Sequence, residues 1–183
     1  GPPLGDRGRS YLEKIVAAGQ QMDMLIHDLL EYGRFTTVAF EQNSVDADEV
    51  LSQVINNLQP QIQERQARIQ RKGKLPKISG HKVVLEAAFS NLLSNAIKFV
   101  PSHTRPKVII WPEEQEKQIR IWIRDNGIGI EPRYHHKIFE VFQRLHPQEA
   151  YPGTGIGLAI VHRALQRIGG EVGHLHPHGH LVR

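Results

Sequence analysis

Cysteine is absent from the 183 residues of the chain. That excludes disulfides and thiolate metal sites, and it favours an intracellular, cytoplasmic setting. Also missing is any apolar run approaching the roughly 20 residues that cross a bilayer, so no membrane contact by this chain is expected. The opening GPPLGDRGRS lacks the apolar stretch of a signal peptide. A dense basic stripe is lacking too. The formal net charge is +4, but it is spread along the chain. It suits an anionic ligand, and nucleic acid is not expected as a partner. What is present is an ordinary globular composition, 39% hydrophobic, long enough for one domain with a full core and a short accessory element.

Residues 10–34 have the period of a helix. Ser10 is the expected N-cap, with Glu13 at capping-box spacing. Leu12, Ile15, Met22, Ile26 and Leu29 fall at heptad-like spacing, with Gly19 in the seam, and Val16, Leu25 and Leu30 widen the stripe. Such a stripe needs a partner helix, which is expected from outside the chain. GRFTTVAFEQNS then breaks the pattern, and 39–45 is assigned as a linker. Asp46 is the expected N-cap of a second helix over 47–65. ARIQRKGKLPKISG reads as a strand, a turn and a strand, and a third helix is expected over 81–99. KVIIWP and KQIRIWIRD alternate and read as an antiparallel hairpin. HHKIFEVFQRL is expected as a short helix. A last helix opens inside GIGLAIVHRALQRIGG and stops at Gly169-Gly170. Mixed elements without regular βαβ alternation point to the α+β class.

Three stretches carry candidate chemistry. Gly153, Gly155 and Gly157 precede a helix, where backbone N–H groups and a positive dipole end can seat phosphate oxygens. Alone, such glycines serve equally for loop flexibility and close packing. They are neither a Walker motif nor a dinucleotide fingerprint. DNGIGI follows a strand. Asp125 can accept a hydrogen bond from an exocyclic amine such as that of adenine, and Gly127 and Gly129 let the chain pass close to a flat base. Its alternative reading is an Asn-Gly turn. In NLLSNAIKF, Asn91, Asn95 and Lys98 share one helix face, with Leu92, Leu93, Ala96, Ile97 and Phe99 on the core side. Amide oxygens there suit Mg²⁺, and the ammonium suits phosphate; the plain alternative is a solvated face.

In their order, these stretches resemble the ATP-binding domain of sensor histidine kinases over about 44–173. NLLSNAIKF looks like the N box, DNGIGI and GTGIGLAI like the two glycine boxes, and FEVFQRL like the F box. MDMLIHDLLEYGR is similar to the second helix of the family's dimerisation bundle, and the path from FQRLH to EAYPGTG is similar to that of phytochrome-type and related cytoplasmic kinases. The resemblance implies a two-layer α/β sandwich of the histidine kinase, gyrase and Hsp90 type. It implies ATP and Mg²⁺ as ligands. By position, Asp125 would hold the adenine amine, with Gly127 and Gly129 shaping its pocket. Asn95 would ligate Mg²⁺ with Asn91 assisting, and Lys98 would meet phosphate. Gly153, Gly155 and Gly157 would cradle phosphates, and Thr154 would add a hydroxyl. Phe139 and Phe142 would anchor a lid over about 131–153, and Arg144 would reach the γ-phosphate. Implied partners are an acceptor-histidine helix, a response regulator receiver domain and, in the full-length protein, a second copy.

The resulting organisation is a partial dimerisation helix at 1–38, a linker at 39–45 and an ATP-binding domain at 46–183 with an atypical tail. The family's acceptor helix is expected to be absent. His27-Asp28 has the right dipeptide but lies in the second-helix pattern, so His27 reads as a bundle histidine. Related hydrolases carry a glutamate where Asn91 stands. A neutral amide cannot take a proton from water, which favours phosphoryl transfer over hydrolysis. A hydrolysing ATPase or chaperone of the same fold and a non-catalytic dimerisation module remain the alternatives. HLHPHGHLVR reads as too polar and too short for a closing strand, leaving a sheet edge open. Its alternating His174, His176, His178 and His180 could bind a transition metal incidentally.

Overall fold

The computed structural model describes residues 5–38, 40–116, 118–145, 151, 153–175 and 179–182. In chain order its elements are α1 (Asp6–Thr37), β1 (Asn43–Asp46), α2 (Ala47–Asn57), α3 (Gln59–Glu64), β2 (Arg68–Arg71), β3 (Lys77–Gly80), α4 (Lys82–Lys98), β4 (Lys107–Gln115) and β5 (Gln118–Arg124). A 3₁₀ turn at Pro132–Tyr134 follows, then α5 (Gly157–Arg167), β6 (Val172–Leu175) and β7 (Gly179–Val182).

Helix α1 begins earlier than its period suggests. Gly5 stands at its N-cap with no side-chain hydrogen bond, so Ser10 is interior and does not cap it. Asp6 in the first turn complements the positive dipole end. Most of the apolar stripe stays in solvent, with Leu12, Ile15, Val16, Met22, Ile26, Leu29 and Leu30 exposed. Phe35, by contrast, is fully buried, and Leu25 and Tyr32 pack against the core. Helix α1 also lies against α5, so part of its partner is found inside the chain.

Asp46 accepts hydrogen bonds from the N–H groups of Asp48 and Glu49, both at 3.1 Å, and starts α2 as expected. The helix expected to reach 65 breaks at Leu58, because Pro60 opens α3 and cannot donate into a continuing helix. Strand β1 begins inside the stretch assigned as linker and pairs antiparallel with β3. Strand β2 instead pairs parallel with β4. The expected hairpin β4–β5 forms in the register Ile110↔Ile123 and Trp111↔Trp122.

The five-stranded sheet runs β2-β4-β5-β7-β6. Its closing hairpin corrects the reading of the tail. Strand β7 pairs with β5 through Ile121↔Val182, Trp122↔Leu181 and Ile123↔His180, and β6 pairs with β7. Ladder bonds use backbone groups, which polar side chains do not remove. His174 and His180 are register partners in this hairpin, while His176 and His178 lie outside the described residues. No metal-binding group of three or more His, Cys, Asp or Glu occurs among the described residues. HHKIFEVFQRL is a second correction: it forms successive turns, and Phe142 takes a φ of +64° that a right-handed helix does not admit.

Helices α2 and α5 both pack on α4, and α4 and α5 lie against the five-stranded sheet. Helix α4 lies centrally and buries Val84, Leu85, Phe89, Leu92, Leu93 and Ile97 among others. Val108, Ile110, Ile121 and Ile123 meet it from alternate positions on the strands. Each such side chain contributes about 1.5–3 kcal/mol by leaving water. The fold is thus α+β in two layers, with the C-terminal end of α4 and the start of α5 side by side. No described helix is long and apolar enough to cross a membrane.

Candidate functional site

The end of α4 is a junction. Phe99 caps the helix through its N–H to the Asn95 carbonyl at 2.9 Å. Its own carbonyl accepts the N–H of Ile128, also at 2.9 Å. That bond ties the loop after β5 to α4. A β-carbon on Gly127 would lie 2.5 Å from the Phe99 carbonyl oxygen, so only glycine fits this approach. Asp125 is half-buried at the strand end, and its Oδ1 accepts the Gly127 N–H at 2.8 Å. Asn126 braces the other side, accepting from the Lys107 N–H at 2.7 Å and donating to the Arg105 carbonyl at 3.1 Å. Gly129 sits at a φ of +72°.

The polar face of α4 meets the second glycine loop. Asn91 donates its Nδ2 to the Ala87 carbonyl at 3.0 Å, which turns Oδ1 toward the start of α5. A β-carbon on Gly157 would stand 2.6 Å from that oxygen. Asn95 is half-buried one turn further along. Lys98 follows, its ammonium 4.3 Å from the centroid of the Phe99 ring and 2.9 Å from where Gly153 would carry a β-carbon. Helix α5 opens at Gly157 with no side-chain cap, which leaves its first N–H groups without a capping side chain.

Arg144 closes the loop from the other side. It donates to the Gly153 carbonyl at 2.5 Å and to the Tyr151 carbonyl at 3.3 Å. Gly155, at a φ of +78°, passes so close that a β-carbon would meet both the Arg144 Cγ and the Gln143 carbonyl at 2.9 Å. Of the two phenylalanines expected as anchors, Phe139 stacks on His162 with centroids 5.4 Å apart. Phe142 is 60% exposed, whereas Ile138 is buried. The Tyr151 ring packs on Phe99 at 5.2 Å.

Thr154 is buried within this loop. Its hydroxyl donates to the Asp28 carboxylate of α1 and accepts the Ile156 N–H at 3.3 Å. Burial holds the Lys98 ammonium below the usual lysine range, and the Arg144 charge adds to this, while Asp28 opposes it. The corner therefore favours a negative partner.

Asn91 and Lys98 of α4 thus meet Gly157 and Gly153, with Arg144 and Gly155 adjoining, and the Asp125 loop docks at the same end of α4. Sequence reasoning missed Asp28, Tyr151 and His162. It also assigned Phe99 wholly to the core, whereas its ring and carbonyl organise both loops. His27 is exposed beside Asp28.

Residues 80–180 match the family model described as histidine kinase-, DNA gyrase B-, and HSP90-like ATPase. The chain is 34% identical over 169 residues to the phytochrome-like protein Cph1 of Synechocystis sp., covering 92% of this chain and 22% of that protein. It is 28% identical over 169 residues to the methanogenesis regulatory histidine kinase FilI of Methanothrix harundinacea, covering 92% and 19%. It therefore spans only about a fifth of these relatives. Among solved structures, full-length ShkA in complex with AMPPNP superposes with a TM-score of 0.74 at 26% identity, covering 99% of this chain and 39% of that one. The catalytic domain of histidine kinase ThkA gives 0.65 at 20% identity, over 78% and 93%, a likeness of fold.

Proposed function

The chain belongs to the histidine kinase-, DNA gyrase B- and HSP90-like ATPase family, and from that premise we propose that it binds ATP as the catalytic region of a two-component sensor histidine kinase. Its γ-phosphoryl group would pass to a histidine on a helix outside this chain. The observation that carries the reading is the meeting of Asn91 with Gly157 and of Lys98 with Gly153. It sets an amide oxygen and an ammonium against the N-terminus of α5, where phosphates are expected.

Asp125 would accept from the adenine amine, and Gly127 and Gly129 would let the base lie against the backbone. Gly153, Thr154, Gly155 and Gly157 would cradle phosphates, with Lys98 and Arg144 supplying positive charge. Phe139, stacked on His162, would steady the segment that covers the nucleotide. The donor set fits a hard divalent cation, because the Asn91 Oδ1 faces the phosphate side while Nδ2 is committed to Ala87. Asn95, with Asn91 beside it, would hold Mg²⁺, whose chemistry is to neutralise charge on bridging phosphate oxygens. The site has no carboxylate at Asn91 to activate water, which favours transfer to an acceptor.

The exposed stripe of α1 supports a homodimer in the full-length protein, with Leu12, Ile15, Met22, Ile26 and Leu29 as its seam. A receiver domain would take the phosphoryl group from the acceptor histidine. Use of ATP supports a cytoplasmic location. The test is calorimetric titration with a non-hydrolysable ATP analogue, with and without Mg²⁺, followed by ATP turnover with and without an acceptor-bearing partner. Mg²⁺-dependent binding with transfer to that partner is expected. ATP hydrolysis without an acceptor would assign a hydrolase instead, and failure to bind adenine nucleotides would overturn the reading.

A further inference from the structure

The hydrogen bond between Thr154 and Asp28 joins residues 126 positions apart. It links the phosphate loop to a helix that the nucleotide site does not otherwise need. Asp28 is half-buried on α1, and its carboxylate faces a buried hydroxyl. It also lies near enough to act on the Lys98 charge. Lys98 in turn borders Gly153, whose carbonyl Arg144 holds. A hydroxyl and an ammonium beside a guanidinium make the recognition chemistry of a phosphate. Here the anion among them is a carboxylate.

We propose that Asp28 stands in for a nucleotide phosphate, so that α1 and the triphosphate of ATP compete for Thr154 and Lys98. The inference rests on the reading of this loop as a phosphate seat, and it adds regulation to that site. The Lys98 ammonium is disfavoured by burial and by Arg144, and Asp28 relieves part of that cost when no nucleotide is bound. A triphosphate carries more charge and more acceptor oxygens than one carboxylate, so it displaces Asp28 and frees this part of α1 from the loop. Any signal that moves α1 then changes affinity for ATP without touching the base pocket.

The test compares the wild-type chain with Asp28→Ala and Asp28→Asn. Asparagine keeps a hydrogen-bond acceptor for Thr154 and removes only the charge, which guards against loss of packing in the alanine variant. Each protein is titrated calorimetrically with a non-hydrolysable ATP analogue and with adenosine. Both variants are expected to bind the analogue more tightly, by about fivefold or more, while adenosine affinity stays unchanged. Equal or weaker analogue binding by both variants would overturn the competition while leaving ATP binding established in the wild type. A parallel gain for adenosine would overturn it too, since adenosine has no phosphate. Absence of nucleotide binding in all three proteins would overturn the reading of the site itself.

Discussion

The side-chain oxygen of Asn91 lies 2.6 Å from the point where Gly157 would carry a β-carbon. The oxygen is held there by the bond from its own amide nitrogen to Ala87. Alanine at 157 would have to push the amide aside or shift the start of α5. Both disturb the corner read as the phosphate and cation seat. Gly157→Ala is therefore expected to weaken Mg²⁺-dependent binding of an ATP analogue by about tenfold. The fold should persist, since the atom in the way belongs to a side chain and alanine suits a helix. Calorimetry with paired thermal melts checks both halves.

Asp125 separates charge from hydrogen-bonding capacity. Its Oδ1 accepts the Gly127 N–H, and an asparagine oxygen could do the same. What Asp125→Asn loses is the second acceptor, replaced by an amide NH₂ that donates and cannot receive the exocyclic N–H of adenine. Adenine nucleotide binding is expected to fall by at least about a hundredfold, or 2.7 kcal/mol. Melting temperature should change little. Unchanged affinity in a folded variant would remove Asp125 from the base site.

Gly127 poses the stricter steric problem. The atom 2.5 Å from its absent β-carbon is the Phe99 carbonyl oxygen, a backbone atom at the end of α4. That oxygen also accepts the Ile128 N–H, the bond that ties the loop to the helix. Gly127→Ala is expected to cost about 2 kcal/mol of stability, read from urea unfolding monitored at Trp111 and Trp122. A change below about 0.5 kcal/mol would fall within the range of ordinary surface substitutions and show that the approach tolerates a methyl group.

The parts of the fold legible in the sequence were those set by local spacing. Asn91, Asn95 and Lys98 share a face because a helix repeats every 3.6 residues. The Asp46 cap and the alternation of β4 and β5 are equally local. Pro60 was a readable break that the apolar period of α2 concealed. The pairing of β7 with β5 was hidden because backbone bonds leave no mark in side-chain polarity. The Phe142 turn was hidden because a positive φ at a phenylalanine has no compositional sign. Asp28 was out of reach for another reason: its partner lies 126 residues away, and nothing in the helical pattern of α1 distinguishes Asp28 from Asp23.

Away from the nucleotide corner, Asp48 offers a test of what holds the edge of the domain. Its carboxylate pairs with the Arg71 guanidinium and accepts the Leu75 N–H at 2.9 Å, fastening the loop between β2 and β3 to the first turn of α2. The Arg71 hydrogen bond holds the carboxyl below its ordinary value of 3.8; burial opposes this, and the Leu75 N–H and nearby positive charge reinforce it. Because the folded chain binds this proton less readily than the unfolded chain, the carboxylate stabilises the fold above the unfolded value. That contribution fades as pH falls through the lower folded value. Asp48→Asn keeps an acceptor for Leu75 but loses the charge. It is expected to cost about 1–2 kcal/mol at pH 7, with the difference from wild type narrowing once the pH drops below 3.8. Urea unfolding of both proteins at neutral and acid pH measures it. A gap that persists undiminished in acid would mean that packing, not charge, makes Asp48 matter.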